Sequence, residues 1–122
     1  MAVTHGGIDI TLPAAADLSG VQYRAMIVDT TGRATTSGAL GKVIGILQNK
    51  PAAAGRAAQI RIVGTSKLVG GAALAEQDYV ASNAQGFGTA AASLNDEVFA
   101  QVLTQTGGSA DVTDVVIQRF RY

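Results

Sequence analysis

Apolar and polar positions alternate with a short period along most of the chain. Ile8-Asp9-Ile10-Thr11-Leu12 is an apolar/polar alternation, the pattern of a half-buried strand. Pro13 and the alanines after it end that strand, and Asp17-Leu18-Ser19-Gly20 reads as a turn or a single helical turn with Asp17 as its cap. Tyr23–Asp29 reads as a strand, Thr30-Thr31-Gly32-Arg33 as a tight turn, and Ala34–Ser37 as the returning strand. Val43–Gln48 is the most apolar strand, Lys50–Gly55 is a loop, and Gln59–Val63 is a further alternating strand. Ser66–Val69, Asp78–Ser82, Phe87–Ala91, Val98–Gln105 and Val115–Arg121 follow, with a short helical turn expected over Ala72–Glu76. No window carries the length and 3.6-residue period of a substantial helix. Short strands punctuated by Gly and Pro predict an all-β fold, a small single-domain barrel or sandwich of antiparallel strands.

Two stretches share an order of features. Tyr23, Gly32 and VIGILQ in the first are echoed by Tyr79, Gly86 and VFAQVLTQ in the second, about 56 residues on. A duplicated set of hairpins would close into a barrel with pseudo-twofold symmetry; hairpins in series within any all-β chain would look alike. Residues 1–14 read as an N-terminal arm bearing one strand, and residues 15–122 as the barrel domain.

Composition narrows the function. The 122 residues suit one domain with a modest core, 48% hydrophobic but only 5% aromatic. A core of small aliphatic residues contributes little burial per residue and is often supplemented by assembly. The formal net charge of zero argues against a generic nucleic-acid binder. Absence of Cys removes disulfides and thiol chemistry. No apolar run reaches roughly 18 residues, so no membrane partner is expected, and the first residues lack the pattern of a secretory signal.

Zero net charge conceals a segregation. Arg24 to Lys67 holds seven basic residues against Asp29 alone; Leu68 to Gln118 holds six acidic residues and no Lys or Arg. This is either a dipolar module whose basic side meets an acidic partner surface or the acidic side of a neighbouring copy, or charges that mix when the halves interleave in space.

Catalytic templates fail in turn. His5 stands alone beside Gly6-Gly7, without a rigid setting for a general base. One His and no Cys leave no transition-metal set, and no acid-rich calcium loop is present. Gly38–Val43 lacks the first Gly and the Ser/Thr of a phosphate loop, and Gly86-Phe87-Gly88 lacks the third Gly of a dinucleotide fingerprint. Tyr23 beside Arg24, and Phe120 between Arg119 and Arg121, are thin grounds for base stacking. The expectation is a non-enzyme without cofactor or metal.

Gly45-Ile46-Leu47-Gln48-Asn49-Lys50-Pro51-Ala52-Ala53-Ala54-Gly55 resembles the signature of small tailed-bacteriophage proteins known as capsid decoration, cement or head-stabilising proteins. Asp17–Ser19 with Gln22-Tyr23, Val63–Lys67, Gly70–Ala73 and Tyr79–Ser82 agree in order, so the likeness spans residues 15 to 105. Phe99–Leu103 and the Arg-Phe-Arg-Tyr terminus depart from it. The resemblance implies a structural virion protein on the outer surface of an assembled head, made in the host bacterial cytoplasm. Its partner would be the major capsid protein, with a homo-oligomer on the capsid, a trimer favoured over a dimer or monomer. The alternative is a soluble oligosaccharide- or oligonucleotide-binding barrel.

Two segments are candidate contacts. Thr4 and His5 with the Ile8/Ile10/Leu12 strand could add a strand to a neighbour's exposed edge, or pair within the chain's own barrel. Gln48, Asn49, Lys50 and Arg56 lie on a loop that either recognises a partner or shapes a turn.

Overall fold

The computed structural model describes residues 6–39, 41–91, 96–104, 108 and 111–121, with backbone alone at Arg121. The described residues contain nine strands and no helix: β1 (Gly7–Pro13), β2 (Ala25–Val28), β3 (Ala34–Thr36), β4 (Gly45–Leu47), β5 (Ala57–Val69), β6 (Tyr79–Ser82), β7 (Gly88–Ala90), β8 (Glu97–Val102) and β9 (Val112–Arg121). All ladders between them are antiparallel, in the order β3-β2-β4-β5-β9-β8-β6-β7 with β1 also on β5.

The sheet curls into two rings. In the first, β1, β5, β4, β2 and β3 pair in sequence, and a single parallel bridge between Ala14 and Ala34 joins the end of β1 back to β3. In the second, β5, β9, β8, β6 and β7 pair in the same way, and the Gly70–Gly88 bridge closes the ring. Each is a five-stranded barrel, and β5 belongs to both. Its first half pairs with β1 and β4, and its second half with β9. At the changeover Gly64 has φ of 108°, and a Cβ there would overlap the Gly6 carbonyl oxygen. The strands expected at 59–63 and 66–69 are therefore one strand of 13 residues.

The repeat is a duplication of the barrel itself. The hairpin register Met26↔Thr36, Ile27↔Thr35, Val28↔Ala34 recurs as Val80↔Ala90, Ala81↔Thr89, Ser82↔Gly88, 54 residues on. Its turn recurs with it: Asp29 Oδ1 accepts from the Thr31 and Arg33 amides, and Asn83 Oδ1 from the Gln85 and Phe87 amides. Gly32 and Gly86 take φ of 79° and 80° at the same step. The last strands repeat at 55, as Leu47↔Ile60 and Val102↔Val115 show. The bridge residues Ala14 and Gly70 repeat at 56. The apparent match of Tyr23 to Tyr79 is displaced by two residues. Tyr79 is the counterpart of Ala25, and Tyr23 that of Gln77; these two are the described non-glycine residues with positive φ, at 65° and 74°. Strand β2 consequently starts at Ala25, after Tyr23 rather than at it.

Each barrel has its own core at equivalent positions. Leu18, Met26, Leu47 and Ile60 fill the first; Leu74, Val80, Val102 and Val115 fill the second. Phe99, Val43, Ile46 and Ala100 extend the second cluster toward the first barrel. The expected helical turn at 72–76 is irregular backbone, with the Ala75 amide donating to Asp78 Oδ2.

Candidate functional site

The loop that carries the family resemblance works mainly inside the fold. The Gln48 side-chain amide donates to the Ile46 carbonyl at 3.0 Å and to Ser66 Oγ at 2.8 Å, tying β4 to the shared strand. Asn49 bridges β5 at two points: Nδ2 donates to the Ala57 carbonyl, and Oδ1 accepts from the Gln59 amide. Pro51 is buried, and its carbonyl accepts from the Leu18 amide. As contact candidates, Gln48 and Asn49 are thus occupied by their own barrel, whereas Lys50 and Arg56 stand in solvent.

The strand expected as an arm lies in the first ring. All of Gly7–Pro13 pairs with β5. Ile10 and Leu12 are half-buried against the first core; Ile8 is 58% exposed and faces Val63, itself 49% exposed, across the ladder. Next to them along the ladder, Arg61 holds Asp9 through Nε and Nη2, at 2.8 and 3.3 Å. That hydrogen bond lowers the Asp9 carboxyl below its ordinary range, assisted by Gln59 and opposed by partial burial. Thr4 and His5 lie outside the described residues.

A second exposed apolar group sits on the other barrel. Tyr79 and Phe120 meet edge to face with centroids 4.9 Å apart, each nearly two-fifths exposed. The tripeptide Arg119-Phe120-Arg121 was conspicuous in sequence, but its aromatic partner was not. Only the β6–β8 and β8–β9 registers bring Tyr79 beside Phe120. Next to it, a cleft of about 440 Å³ separates residues 41–44 of the first barrel from residues 97–99 and 119–120 of the second. Tyr23 is partly buried, with the Lys67 ammonium 5.8 Å from its ring, so it is not a free stacking platform. Among the described residues no cluster of His, Asp and Glu could hold a metal ion.

The charge segregation follows the duplication. Residues 7–64 carry six cations and three carboxylates, net +3; residues 65–121 carry three cations and six carboxylates, net −3. One barrel is basic and the other acidic, so the charges are partitioned between barrels instead of cancelling within each.

No protein-family model matches the chain, and no curated protein sequence does. Among solved structures, it superposes on the head fiber gp8.5 N base of bacteriophage phi29 with a TM-score of 0.72. The match covers 94% of this chain and 97% of that one, at 12% identity. The two proteins share a fold. The expected all-β, barrel-like architecture is therefore found both in this chain and in a protein of a bacteriophage head.

Proposed function

We propose that the protein is a capsid decoration protein that binds the outer surface of an assembled bacteriophage head and strengthens contacts between major capsid proteins. The observation that carries this reading is the end-to-end match to the phi29 head fiber base. The Gln48–Pro51 resemblance supports it independently, because it rests on sequence and the match rests on fold. In this reading the chain has no catalytic role and takes no cofactor.

The physical basis of cementing is mass action. A protein that binds the intact shell but not separated subunits stabilises the shell by RT ln(1 + [L]/Kd), roughly 2.7 kcal/mol per site at a hundredfold excess over Kd. The exposed Ile8/Val63 pair at one end of the β1–β5 ladder and the cations Lys50 and Arg56 beyond its other end are the contacts proposed for the capsid. Removing residues 1–12 would take out β1 and open the first ring, so deletion is a poor test. Surface substitution is a better one. Purified undecorated heads should co-sediment with the protein and rupture at a higher temperature in its presence. Ile8→Lys with Val63→Lys should weaken co-sedimentation while leaving the fold intact. No binding to heads, or binding without any gain in their heat resistance, overturns the cement reading.

A further inference from the structure

The duplication contains one contact that is made once where the repeat provides for it twice. The β6–β7 turn of the second barrel is docked on the first: Gly86 O accepts from the Ala25 amide at 2.9 Å, and Gln85 O accepts from Arg24 Nη1 at 3.3 Å. The Arg24 guanidinium lies 4.3 Å from the centre of the Phe87 ring. A Cβ on Gly86 would come within 2.5 Å of Thr36 Cγ2, so the seat is tight. The equivalent turn of the first barrel, Asp29–Arg33, has the same internal hydrogen bonds but no seat: Gly32 has nothing within 4 Å of a built Cβ.

The equivalent positions on the second barrel face solvent, beside the contact of the Tyr79 ring with Phe120. Ala25 is fully buried, whereas its counterpart Tyr79 is 38% exposed. Thr36 is half-buried, whereas its counterpart Ala90 is exposed. Gly86 is buried and Phe87 half-buried, whereas Gly32 and Arg33 are exposed. The residues that differ do so in a complementary way. Asp78 stands in the seat where the first barrel has Arg24, and Arg33 stands on the turn where the second has Phe87. The cation–ring contact inside the chain would become an Arg33–Asp78 ion pair between chains. The Asp78 carboxylate already accepts from the Ala75 amide and can accept more.

We propose that copies of this chain associate head to tail, the Thr30–Arg33 turn of one seating on Asp78, Tyr79 and Ala90 of the next. The basic first barrel of one copy meets the acidic second barrel of its neighbour, which favours this pairing over like-with-like contacts. Such a contact is heterologous, so it builds a ring where the rotation closes and a chain where it does not. The inference rests on the duplication and not on capsid binding, and it is tested without capsids.

The chain has no cysteine, so single cysteines can be placed cleanly. Arg33→Cys protein is mixed with Asp78→Cys protein and treated with a short bis-maleimide. The expected product is a cross-linked pair containing one of each, well in excess of either variant linked to itself. In sedimentation at low salt, Arg33→Glu and Asp78→Lys should each weaken self-association on the order of tenfold, and the double reversal should restore it. Both sites lie on exposed or half-exposed loops, and melting curves check that the variants fold. A wild-type chain that stays monomeric at every concentration at low salt overturns the proposal. So does cross-linking that favours like variants, or a double reversal no better than the singles.

Discussion

The two barrels share strand order, hairpin register and turn geometry, yet they differ in three respects. The first is basic and the second acidic. The first has its hairpin turn in solvent; the second has it seated on its twin, with Gly86 buried. Cores also differ in volume, since the second contains Phe99 where the first has Ile44 and Ala100 where it has Gly45. A ladder is maintained by backbone groups and by which face is apolar, so it survives when charge and side-chain volume change. Those free variables are where the barrels have specialised.

The sharpest way to break the comparison is at Phe99. It is 1% exposed and sits in the larger cluster, whereas its counterpart Ile44 is only partly buried against the smaller one. Phe99→Ala should cost about 3–5 kcal/mol, and Ile44→Ala about 1–2 kcal/mol. Chemical denaturation of both variants checks this. Equal losses would mean that the barrels are not packed as differently as their residues suggest.

The paired glycines separate backbone strain from docking. Gly32 and Gly86 have the same φ, so alanine at either bears the same left-handed penalty of roughly 1–2 kcal/mol. At Gly86 the new methyl also meets Thr36 Cγ2 and, at 3.2 Å, the Ala25 carbonyl oxygen. Gly86→Ala should therefore lose about 1–3 kcal/mol more than Gly32→Ala. Matched melting temperatures would show that the β6–β7 turn yields easily and is weakly seated.

How far the sequence revealed this structure depends on what kind of signal was sought. Alternation and short apolar runs located the strands, with β5 read as two, and Gly32 and Gly86 marked both hairpin turns, because those positions need a conformation that glycine adopts freely. The duplication was legible in feature order but not in register. Tyr23 looked like a strand residue, and its positive φ, held by a bond from its amide to Leu47 O, places it just before one. Ring closure was hidden because it depends on small residues, Ala14 with Ala34 and Gly70 with Gly88, that leave no periodic trace. In the candidate site, the loop bearing Gln48 and Asn49 read equally as a recognition loop or as a shaped turn. Loop side chains that bond their own backbone look identical in sequence to those that recognise something else. The Tyr79–Phe120 pair needed long-range register and was out of reach.

The Asp9–Arg61 pair marks a smaller difference, because its counterparts in the second barrel are Thr65 and Val116, which cannot form an ion pair. Asp9→Asn should cost about 1–2 kcal/mol at neutral pH, as expected for a half-buried charged hydrogen bond. Arg61 lowers the folded-state pKa of Asp9 below its ordinary 3.8. Its contribution is complete above that value and disappears as the pH falls through the lower folded value. The wild type and Asp9→Asn should therefore converge in stability as the solution is acidified through this window. Denaturant titrations along the acid limb follow the gap; one that stays as wide in acid as at neutrality would show that Asp9 acts through shape and not charge.

The smallest effect is expected where the barrels use different residues for the same task. Asp29 and Asn83 each accept two amide bonds across a glycine turn, through the same oxygen and at distances of 2.9 to 3.0 Å. Asp29→Asn should consequently leave the melting temperature at neutral pH unchanged within error. It should not leave the acid limb unchanged. The amide bond from Arg33, aided by Thr31, lowers the Asp29 carboxyl below its ordinary value, so protonation weakens the acceptor only in acid. An amide oxygen cannot titrate there, and the variant should lose less stability than the wild type as the pH falls. A clear loss at neutral pH would instead mean that the negative charge itself matters at this turn. That would place Asp29 with Arg33 as part of the first barrel's charge pattern, beyond the role its twin performs as a neutral side chain.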